Sequence, residues 1–504
     1  MSVLSILVFA PLVVAALLVV LRRRLPGRAA TWAWIAASGL ELVAVVGLWL
    51  GYDGGPGLST GLAYEQRVQW IPGVGSSYHV GVDGLSLPLV ALTVLLFFVC
   101  AVYSLGENSE RATFAALMLF LETTALGLFV ALDLIVFFVF FDLSIVGMYF
   151  VILGWGHGNA GRAALKFFLY TFLGSLALLL GFIGLYVASD PHTFDMVELT
   201  ARPPLEGRPR FAGLVLAAVG LGLAVKTPTF PFHTWLPPAH TEAPAAGSAI
   251  LAGVLLKMGT YGFVRIAMPM LPQAWSRWSG VILVIAVISV LWGAFVALAQ
   301  TSFKRMVAYT SVNHMGYVLL GLGAAGAAGG DAAAKAVAVS GALTQMVSHG
   351  LITGALFLVA GVMWQRRGSY EMDTYGGVAA RAPVFAVMFA VGAFASLGLP
   401  ALSGFIAEFQ VFAGSLGSAP VATGLSLLGI LVTAGLFLWA ISRVLLGPPR
   451  SPGAEFADLR AHESVAIAPL LVASLVVGVL PRWLLDVIEP AARTVVGVLA
   501  GSGW

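Results

Sequence analysis

The stretch FAGLVLAAVGLGLAVKTPTFP, residues 211–231, runs from an apolar segment through a lysine into a sequence that cannot continue a helix. The apolar part, Phe211–Val225, has the composition of a membrane-spanning helix, whereas the prolines after Lys226 remove backbone donors and clash with the preceding turn. An ammonium group at membrane depth costs at least about 2.5 kcal/mol, so one that is kept there indicates a function. The stretch therefore predicts a membrane helix that is broken beside a functional charge.

The whole chain has the composition of a membrane protein. It has 504 residues, of which 60% are hydrophobic and 10% are charged, whereas soluble domains carry roughly 25% charged residues. The apolar run Ser2–Leu21 precedes its basic cluster, which predicts a retained first helix instead of a cleaved signal peptide. Topology explains the short basic loops, so we infer no nucleic-acid partner. The single cysteine, Cys100, excludes an intrachain disulfide and a cysteine-ligated metal or cluster.

Apolar segments of about 20 residues, long enough to cross a bilayer, recur along the chain. They predict an all-α polytopic membrane protein. We expect fourteen transmembrane segments, beginning near residues 2, 32, 83, 111, 133, 163, 211, 243, 277, 303, 335, 384, 420 and 464.

The distribution of Lys and Arg predicts the orientation, because cytoplasmic loops are enriched in them. Loops after segments 1, 3, 5, 9, 11 and 13 hold fourteen, namely Arg22, Arg23, Arg24, Arg28, Arg111, Arg162, Lys166, Lys304, Arg305, Arg366, Arg367, Arg381, Arg450 and Arg460. The other side holds eight, namely Arg67, Arg202, Arg208, Arg210, Arg277, Lys335, Arg482 and Arg493. Both termini are therefore predicted on the non-cytoplasmic side of a cell membrane, most simply a bacterial inner membrane.

Two segments are broken by proline and glycine, the seventh at Thr227–Pro238 and the twelfth at Leu397–Gly404. Paired broken helices are typical of repeated halves that carry an ion site. Segments 4–8 and 9–13 would then be two five-helix repeats, inverted because five is odd; two unrelated proline kinks are the alternative. We divide the chain into segments 1–3 at 1–110, a proton-input repeat at 111–270, a proton-output repeat at 271–450, and a C-terminal helix and tail at 451–504.

Asp142 is the first candidate partner of Lys226. It follows Asp133 by nine residues in an aromatic and aliphatic run, and so lies about 13 Å deep. A carboxylate in such surroundings needs a cation, a water or a proton. If segments 5 and 7 are adjacent, Asp142 and Lys226 form a pair whose opening frees a proton. A static ion pair is the alternative.

Four further polar residues lie deep in apolar segments: Lys257, His314, His349 and Glu408. Lys257 has no acid within a helical turn, and a buried lysine without a fixed partner titrates readily; a lysine that extends to the membrane surface is the alternative. Histidines can pass protons along a hydrogen-bonded line. The pair could also be satisfied core histidines, while a metal role has no third ligand to support it. Glu408 follows the second break, as a counterpart of Lys226.

His233 and His240 bracket the sequence TWLPPA, and Glu242 follows closely. These three residues could line a path by which protons reach the interior. They could equally cap the broken helix, because polar side chains satisfy the backbone groups that a break exposes.

The sequence VKTPTFPFHTWLPPAHTEAPAAGS, residues 225–248, resembles the signature of the antiporter-like subunits of respiratory complex I, the NADH–quinone oxidoreductase. LLKMGTYG at 255–262, VDGLSLPL at 82–89, KRMVAYTS at 304–311 and GFIAEF at 404–409 extend the resemblance over nearly the whole chain. Glu408 stands where the L-like and N-like members carry lysine. This favours the M branch, which is subunit 4 in mitochondria.

The resemblance implies a proton-translocating subunit without a redox cofactor, since flavin, iron–sulfur clusters and quinone belong to partner subunits. The expected partners are other membrane subunits, including L-like and N-like ones, and the lipid bilayer. It implies that Lys226 is the input lysine, Lys257 the central relay, His314 and His349 connectors, and Glu408 the output residue. Consistently, the chain has neither a dinucleotide-binding glycine fingerprint nor a cysteine set.

This sequence departs from the family at the partner acid. The family usually has glutamate on segment 5 with a proline a few residues later, whereas this chain has Asp142 and Gly147. Aspartate is one methylene shorter, so contact with Lys226 would need a helix shift or a bridging water. Three alternatives remain open: a subunit of a multi-subunit cation/proton antiporter, a subunit of a hydrogenase-linked or ferredoxin-linked complex, and a purely structural scaffold.

Overall fold

The computed structural model describes residues 2–25, 27–55, 57–58, 61–106, 111–450 and 456–501. These residues form a mostly helical bundle. The helices are α1 (Val3–Leu21), α2 (Gly27–Leu50), α3 (Leu87–Tyr103), α4 (Arg111–Val130), α5 (Leu134–Trp155), α6 (Ala160–Ala188), α7 (Met196–Ala201), α8 (Pro209–Lys226), α9 (Leu236–Glu242), α10 (Ala245–Ile250), α11 (Leu256–Gly262), α12 (Met268–Met270), α13 (Pro272–Leu298), α14 (Phe303–Gly326), α15 (Ala332–Arg367), α16 (Val378–Arg381), α17 (Pro383–Ser396), α18 (Ser403–Ser415), α19 (Pro420–Val444), α20 (Ala461–Val479) and α21 (Arg482–Leu499).

Twelve spans in the described part of the chain are long and apolar enough to cross a membrane. They begin close to twelve of the predicted starts, which confirms a polytopic membrane fold. One of them is the continuous run Ala245–Met270, in which α10, α11 and α12 are joined by π-helical turns at Leu251–Leu255 and Phe263–Ala267. The predicted segments near 303 and 384 are not among the twelve. The first is α14, which is rich in polar residues, and the second is split into α17 and α18.

The prediction of an all-α chain is wrong between α2 and α3. Strands β1 (Ala63–Ile71) and β2 (Ser76–Val82) form an antiparallel hairpin there. Gly75, with φ of 66°, closes the turn in a left-handed conformation that suits glycine. In β1, polar and apolar residues alternate only over Arg67–Trp70, a run too short to stand out among the long apolar segments.

The predicted C-terminal region, 451–504, contains a second helix that the sequence analysis did not separate. After α20 the chain turns at Leu480 and Pro481 into α21, which is amphipathic. Its apolar face is buried against α15, whereas Arg482 and Arg493 on the other face are exposed. The tail, 502–504, lies outside the described residues, as do the predicted boundaries at residues 110 and 451.

The start of α1 and the last described helix, α21, both lie at the face of the molecule that carries the β-hairpin, here called the hairpin face. The backbone amide of Ser2 donates to Gln66 Oε1 of β1 at 3.3 Å. At the other end of the chain, α21 approaches the residues after β2 so closely that a Cβ on Gly84 would lie 2.1 Å from the Val487 carbonyl oxygen. The face at the other end of the bundle, where α14 begins and α15 ends, is called the opposite face.

The two predicted breaks are present and are shorter than predicted. α8 ends at Lys226 and α9 begins at Leu236, so the prolines at 237 and 238 lie in the first turn of α9, where proline is tolerated. The second break spans 397–402, between α17 and α18. Pro228 and Ala401 have φ of 23° and 74°, which are strained values for these residues.

Candidate functional site

Lys257 lies at the centre of the bundle, in a span that is completely buried. The π-helical turns on either side of α11 leave backbone carbonyls without their usual partner, and such turns are frequent at functional sites. The ammonium group uses one of these carbonyls, donating to Ala252 O at 2.5 Å. Its second neighbour is His349 Nδ1 on α15, at 2.6 Å.

The two histidines continue the line from Lys257. The rings of His349 and His314 lie 5.4 Å apart between centroids, at 77° to each other. His314 Nε2 on α14 is 3.9 Å from Glu408 Oε1 on α18. The spatial order is therefore Lys257, His349, His314, Glu408, so the histidine beside Lys257 is the one later in the chain.

Glu408 reaches back into the second break. A Cβ added to Gly398, which has φ of 78°, would lie 2.5 Å from Glu408 Oε2, so this position needs glycine for its backbone and for its space. Glu408 lies after its break and Lys226 before its own, so the two are not at equivalent chain positions. Both head groups nevertheless lie beside irregular backbone, where unpaired peptide groups can solvate a charge.

Lys226 and Asp142, which the sequence analysis predicts as a pair, are not in direct contact. Its Nζ donates to Ser144 Oγ at 2.9 Å and lies 4.7 Å from the centre of the Phe141 ring. Phe141 and Ser144 are three residues apart and share a face of α5, whereas Asp142 is about 200° around the helix from Ser144. Asp142 faces Ser175 on α6 instead, and its buried Oδ1 has no hydrogen-bond partner among the described residues. The two charges remain close enough to interact electrostatically.

His233, His240 and Glu242 do not form one cluster. His233 Nε2 accepts a hydrogen bond from Trp292 Nε1 at 3.0 Å. His240 is fully buried and stacked on Phe357 at 4.5 Å, and neither ring nitrogen has a hydrogen-bond partner among the described residues. Glu242 ends α9 near the opposite face, with its carbonyl accepting from the His157 amide at 2.7 Å.

Lys304 is a buried residue that the sequence analysis misplaced in a loop. It lies in the first turn of α14 and is fully buried. Its Nζ donates to Ala243 O at 2.5 Å, to Thr241 O at 3.4 Å and to Tyr370 Oη at 3.2 Å. The sequence could have indicated this position through the spacing of residues 304, 311 and 314. On a helix, this spacing places a lysine, a serine and a histidine within about 80° on one side.

Other buried charges lie away from this line. Asp83 binds Arg265 and also accepts from the amides of Leu58, Leu85 and Ser86, which fixes the start of α3 against the helical run that contains Lys257. Glu41 and Glu122 lie side by side between α2 and α4, and Ser38 Oγ donates to Glu122 Oε2 at 2.7 Å.

No group of three or more His, Cys, Asp or Glu side chains within the described ranges could hold a metal ion. The residues brought together are titratable groups at hydrogen-bonding or near-contact distances. Such an arrangement can accept, hold and pass protons.

Known proteins match this sequence and this fold. A profile of the family described as "NADH:quinone oxidoreductase/Mrp antiporter, TM" matches residues 131–438. NADH-quinone oxidoreductase subunit M of Rickettsia bellii is 36% identical over 498 residues, covering 97% of each chain. F(420)H(2) dehydrogenase subunit M of Methanosarcina mazei is 36% identical over 476 residues, covering 93% of this chain and 92% of that one.

A solved structure agrees with these matches. A chain of respiratory complex I from Thermus thermophilus superposes with a TM-score of 0.88 at 30% identity, over 98% of this chain and 99% of that chain. With the family profile covering more than half of its residues, the chain belongs to the NADH:quinone oxidoreductase/Mrp antiporter transmembrane family.

Proposed function

We propose that this chain is a proton-translocating membrane subunit of an NADH–quinone oxidoreductase, corresponding to subunit M. The observation that carries the proposal is the buried line Lys257, His349, His314 and Glu408. Isolated charges at membrane depth are costly and are kept for function. In a purely structural protein, leucine at these buried positions would be more favourable than a charged residue.

The proposed route begins at Lys226 and ends at Glu408. Reduction of quinone in other subunits changes the field at Asp142 and Lys226, and Lys226 releases a proton toward Lys257. From there His349 and His314 pass it to Glu408. The Ser144 hydroxyl, which holds the ammonium group of Lys226, takes the position that the sequence analysis gave to the Asp142 carboxylate. Asp142 then acts on Lys226 through space, an interaction that is stronger in this dry interior than in water.

The proposed topology has fourteen crossings, in which α14 and the pair α17 and α18 join the twelve apolar spans. The input repeat is 111–270 and the output repeat 271–450, each with its broken helix and inverted relative to the other. In this proposal both termini are on the side of the hairpin face, where α1 begins. The excess of Lys and Arg in the loops of the opposite face supports placing that face in the cytoplasm.

In this proposal the chain carries no electrons. Flavin, iron–sulfur clusters and quinone are bound by partner subunits, and the chain contributes only the translocase part of the enzyme. L-like and N-like subunits of the same family are the expected neighbours in the membrane.

Two alternatives follow from the comparisons. The family description includes antiporters, and one relative is named as a subunit of an F(420)H(2) dehydrogenase. A cation/proton antiporter would exchange sodium for protons without a redox substrate. Purifying the assembled complex in detergent and identifying its subunits separates these alternatives, because only the proposed assembly contains an NADH-oxidising arm.

The functional test is Glu408→Gln in the assembled complex, reconstituted in sealed vesicles. Glutamine keeps the size and loses the proton, so we expect NADH oxidation coupled to a clearly lower proton-to-electron ratio. Ser426→Ala, a buried polar change on α19, is a control that should leave the ratio unchanged. An unaltered ratio in Glu408→Gln, with the complex intact, would contradict the proposed function.

A further inference from the structure

A polar pocket of about 360 Å³ opens on the opposite face, away from the Lys226 break. Its walls include Trp155, His157, Trp364, Gln365, Tyr370 and Arg460. Three of these rings form a stack, with 4.8 Å between His157 and Trp364 and 4.8 Å between Trp364 and Tyr370. Because Gln365 and Arg460 are exposed, water reaches the pocket from that face.

Lys304 lies directly behind this wall. Tyr370 separates the fully buried lysine from the pocket, with its hydroxyl 3.2 Å from Nζ and its ring centre 4.7 Å away. The carbonyl of Ala243, which accepts from the same Nζ, belongs to the residue just before Pro244 and Ala245 of the pocket wall. The ammonium group is thus one side chain from the watery space.

His240 lies on the inner side of Lys304. It is close enough to both Lys304 and Lys257 to interact with their charges, and His349 in turn interacts with His240. Its two ring nitrogens are buried without hydrogen-bond partners in the described part of the chain. A buried ring with neither nitrogen satisfied is costly, and it is explained if those nitrogens serve transient partners.

We infer that Lys304 and Tyr370 form a second proton entrance, which loads Lys257 from the pocket through His240. This inference rests on the proposed function. In the second entrance, Lys304 is the residue that transfers protons from the pocket to the interior. The ammonium of Lys304 gives a proton to His240, His240 gives one to the neutral amine of Lys257, and Lys304 takes a replacement from water in the pocket past the Tyr370 hydroxyl. No bond other than N–H and O–H bonds changes, and the charge of the site is restored at each cycle.

A purely structural role for Lys304 makes a different prediction. Its bonds to the carbonyls of Thr241 and Ala243 cap the C-terminal end of α9, where a cation is favoured by the helix dipole. Arginine can also cap carbonyls with its charge, but it does not give up its proton in proteins. Lys304→Arg therefore separates a cap from a proton carrier.

The experiment measures proton pumping and NADH:quinone activity of the assembled complex in sealed vesicles for Lys304→Arg, Lys304→Gln and Tyr370→Phe. We expect Lys304→Arg to lower the pumping rate severalfold although the complex assembles, and Tyr370→Phe to lower it less. Lys335→Arg is the matched control, because Lys335 caps the Ala327 carbonyl on the hairpin face at 2.6 Å and has no place in the route. Its pumping should equal that of the unaltered protein.

Full pumping by Lys304→Arg, with loss only in Lys304→Gln, would assign Lys304 to capping and overturn the inference. Normal pumping by both variants would overturn it as well. The Glu408→Gln complex is measured in parallel. If it loses pumping while Lys304→Arg keeps it, the second entrance alone is wrong; if Glu408→Gln also pumps fully, the proposed function is wrong.

Discussion

The two halves of the molecule surround their buried titratable groups in different ways. In the output half, three titratable groups from α15, α14 and α18 continue at short distances the line that starts at Lys257 on α11, at the end of the input half. In the input half, Lys226 is held by a serine hydroxyl and an aromatic ring, and the carboxylate of Asp142 faces another helix. The residues from Lys257 to Glu408 thus form a connected line of titratable groups. Lys226 stands apart from this line and interacts with the Asp142 carboxylate through space.

The sharpest test of this contrast is Lys257→Met. Methionine fills a similar volume without a charge, so the line loses its first member and His349 loses its neighbour. We expect pumping to fall by roughly tenfold or more, which corresponds to at least about 1.4 kcal/mol in the barrier. The measurement is the initial rate of acidification in sealed vesicles, with Lys335→Met as control. A small effect would mean that the line is not the path.

The input half is tested by Ser144→Ala beside Asp142→Asn. Ser144 holds Lys226 directly, so its loss leaves the ammonium without a hydrogen bond, and removing one partner of a buried charged group costs roughly 1–3 kcal/mol. We expect a severalfold fall in pumping for Ser144→Ala. Asp142→Asn removes the charge and should also lower pumping, whereas Asp142→Glu should retain it. An unimpaired asparagine variant would limit Asp142 to a structural role between α5 and α6.

The spatial order of the histidines gives a third prediction, of smaller size. Since His349 contacts Lys257 and His314 faces Glu408, His349→Gln should slow loading of the line and His314→Gln should slow discharge to Glu408. Because both act in series, the double variant should be little slower than the slower single one. Pumping rates of the three complexes check this, and fully multiplicative losses would indicate parallel paths.

The smallest effect is expected at the hairpin face, where α5 of the input half is anchored. His79 of β2 bonds Asp195 at 2.7 Å and Glu65 at 2.8 Å. Burial alone lowers the pKa of His79, but the hydrogen bonds and charges of Asp195 and Glu65 outweigh it and raise the pKa above the usual value. A raised pKa stabilises the fold below about pH 6.5, and this contribution is lost as the pH rises through the folded-state value.

His79→Gln should therefore lower the melting temperature most near pH 6 and least near pH 9. Thermal unfolding of the purified complex at both pH values measures this. His192→Gln serves as control, because its Nδ1 bonds the Ser189 carbonyl instead of a carboxylate. A pH-independent difference would show that His79 acts through packing.

Much of the fold followed from the sequence because membrane helices are a local property. Length and apolarity alone decide whether a segment can span a bilayer. The helix breaks that start at residues 227 and 397 are indicated by proline and glycine in the sequence. The β-hairpin and the amphipathic α21 were missed since their signals are short or depend on neighbours. Lys304 was misplaced for a related reason. The local sequence around a lysine in the first turn of a helix does not show whether the side chain points to solvent or to the interior.

The sequence by itself determined that the chain spans the membrane, that two helices break, and that Lys226, Lys257, His314, His349 and Glu408 are costly polar residues at depth. Only the tertiary structure decided which of them meet. Contact between residues 92 positions apart, as for Lys257 and His349, depends on how helices are rotated and packed, and nothing local encodes it. The same rotation turns Asp142 away from Lys226 and presents Ser144, because on one helix a shift of two residues changes the face.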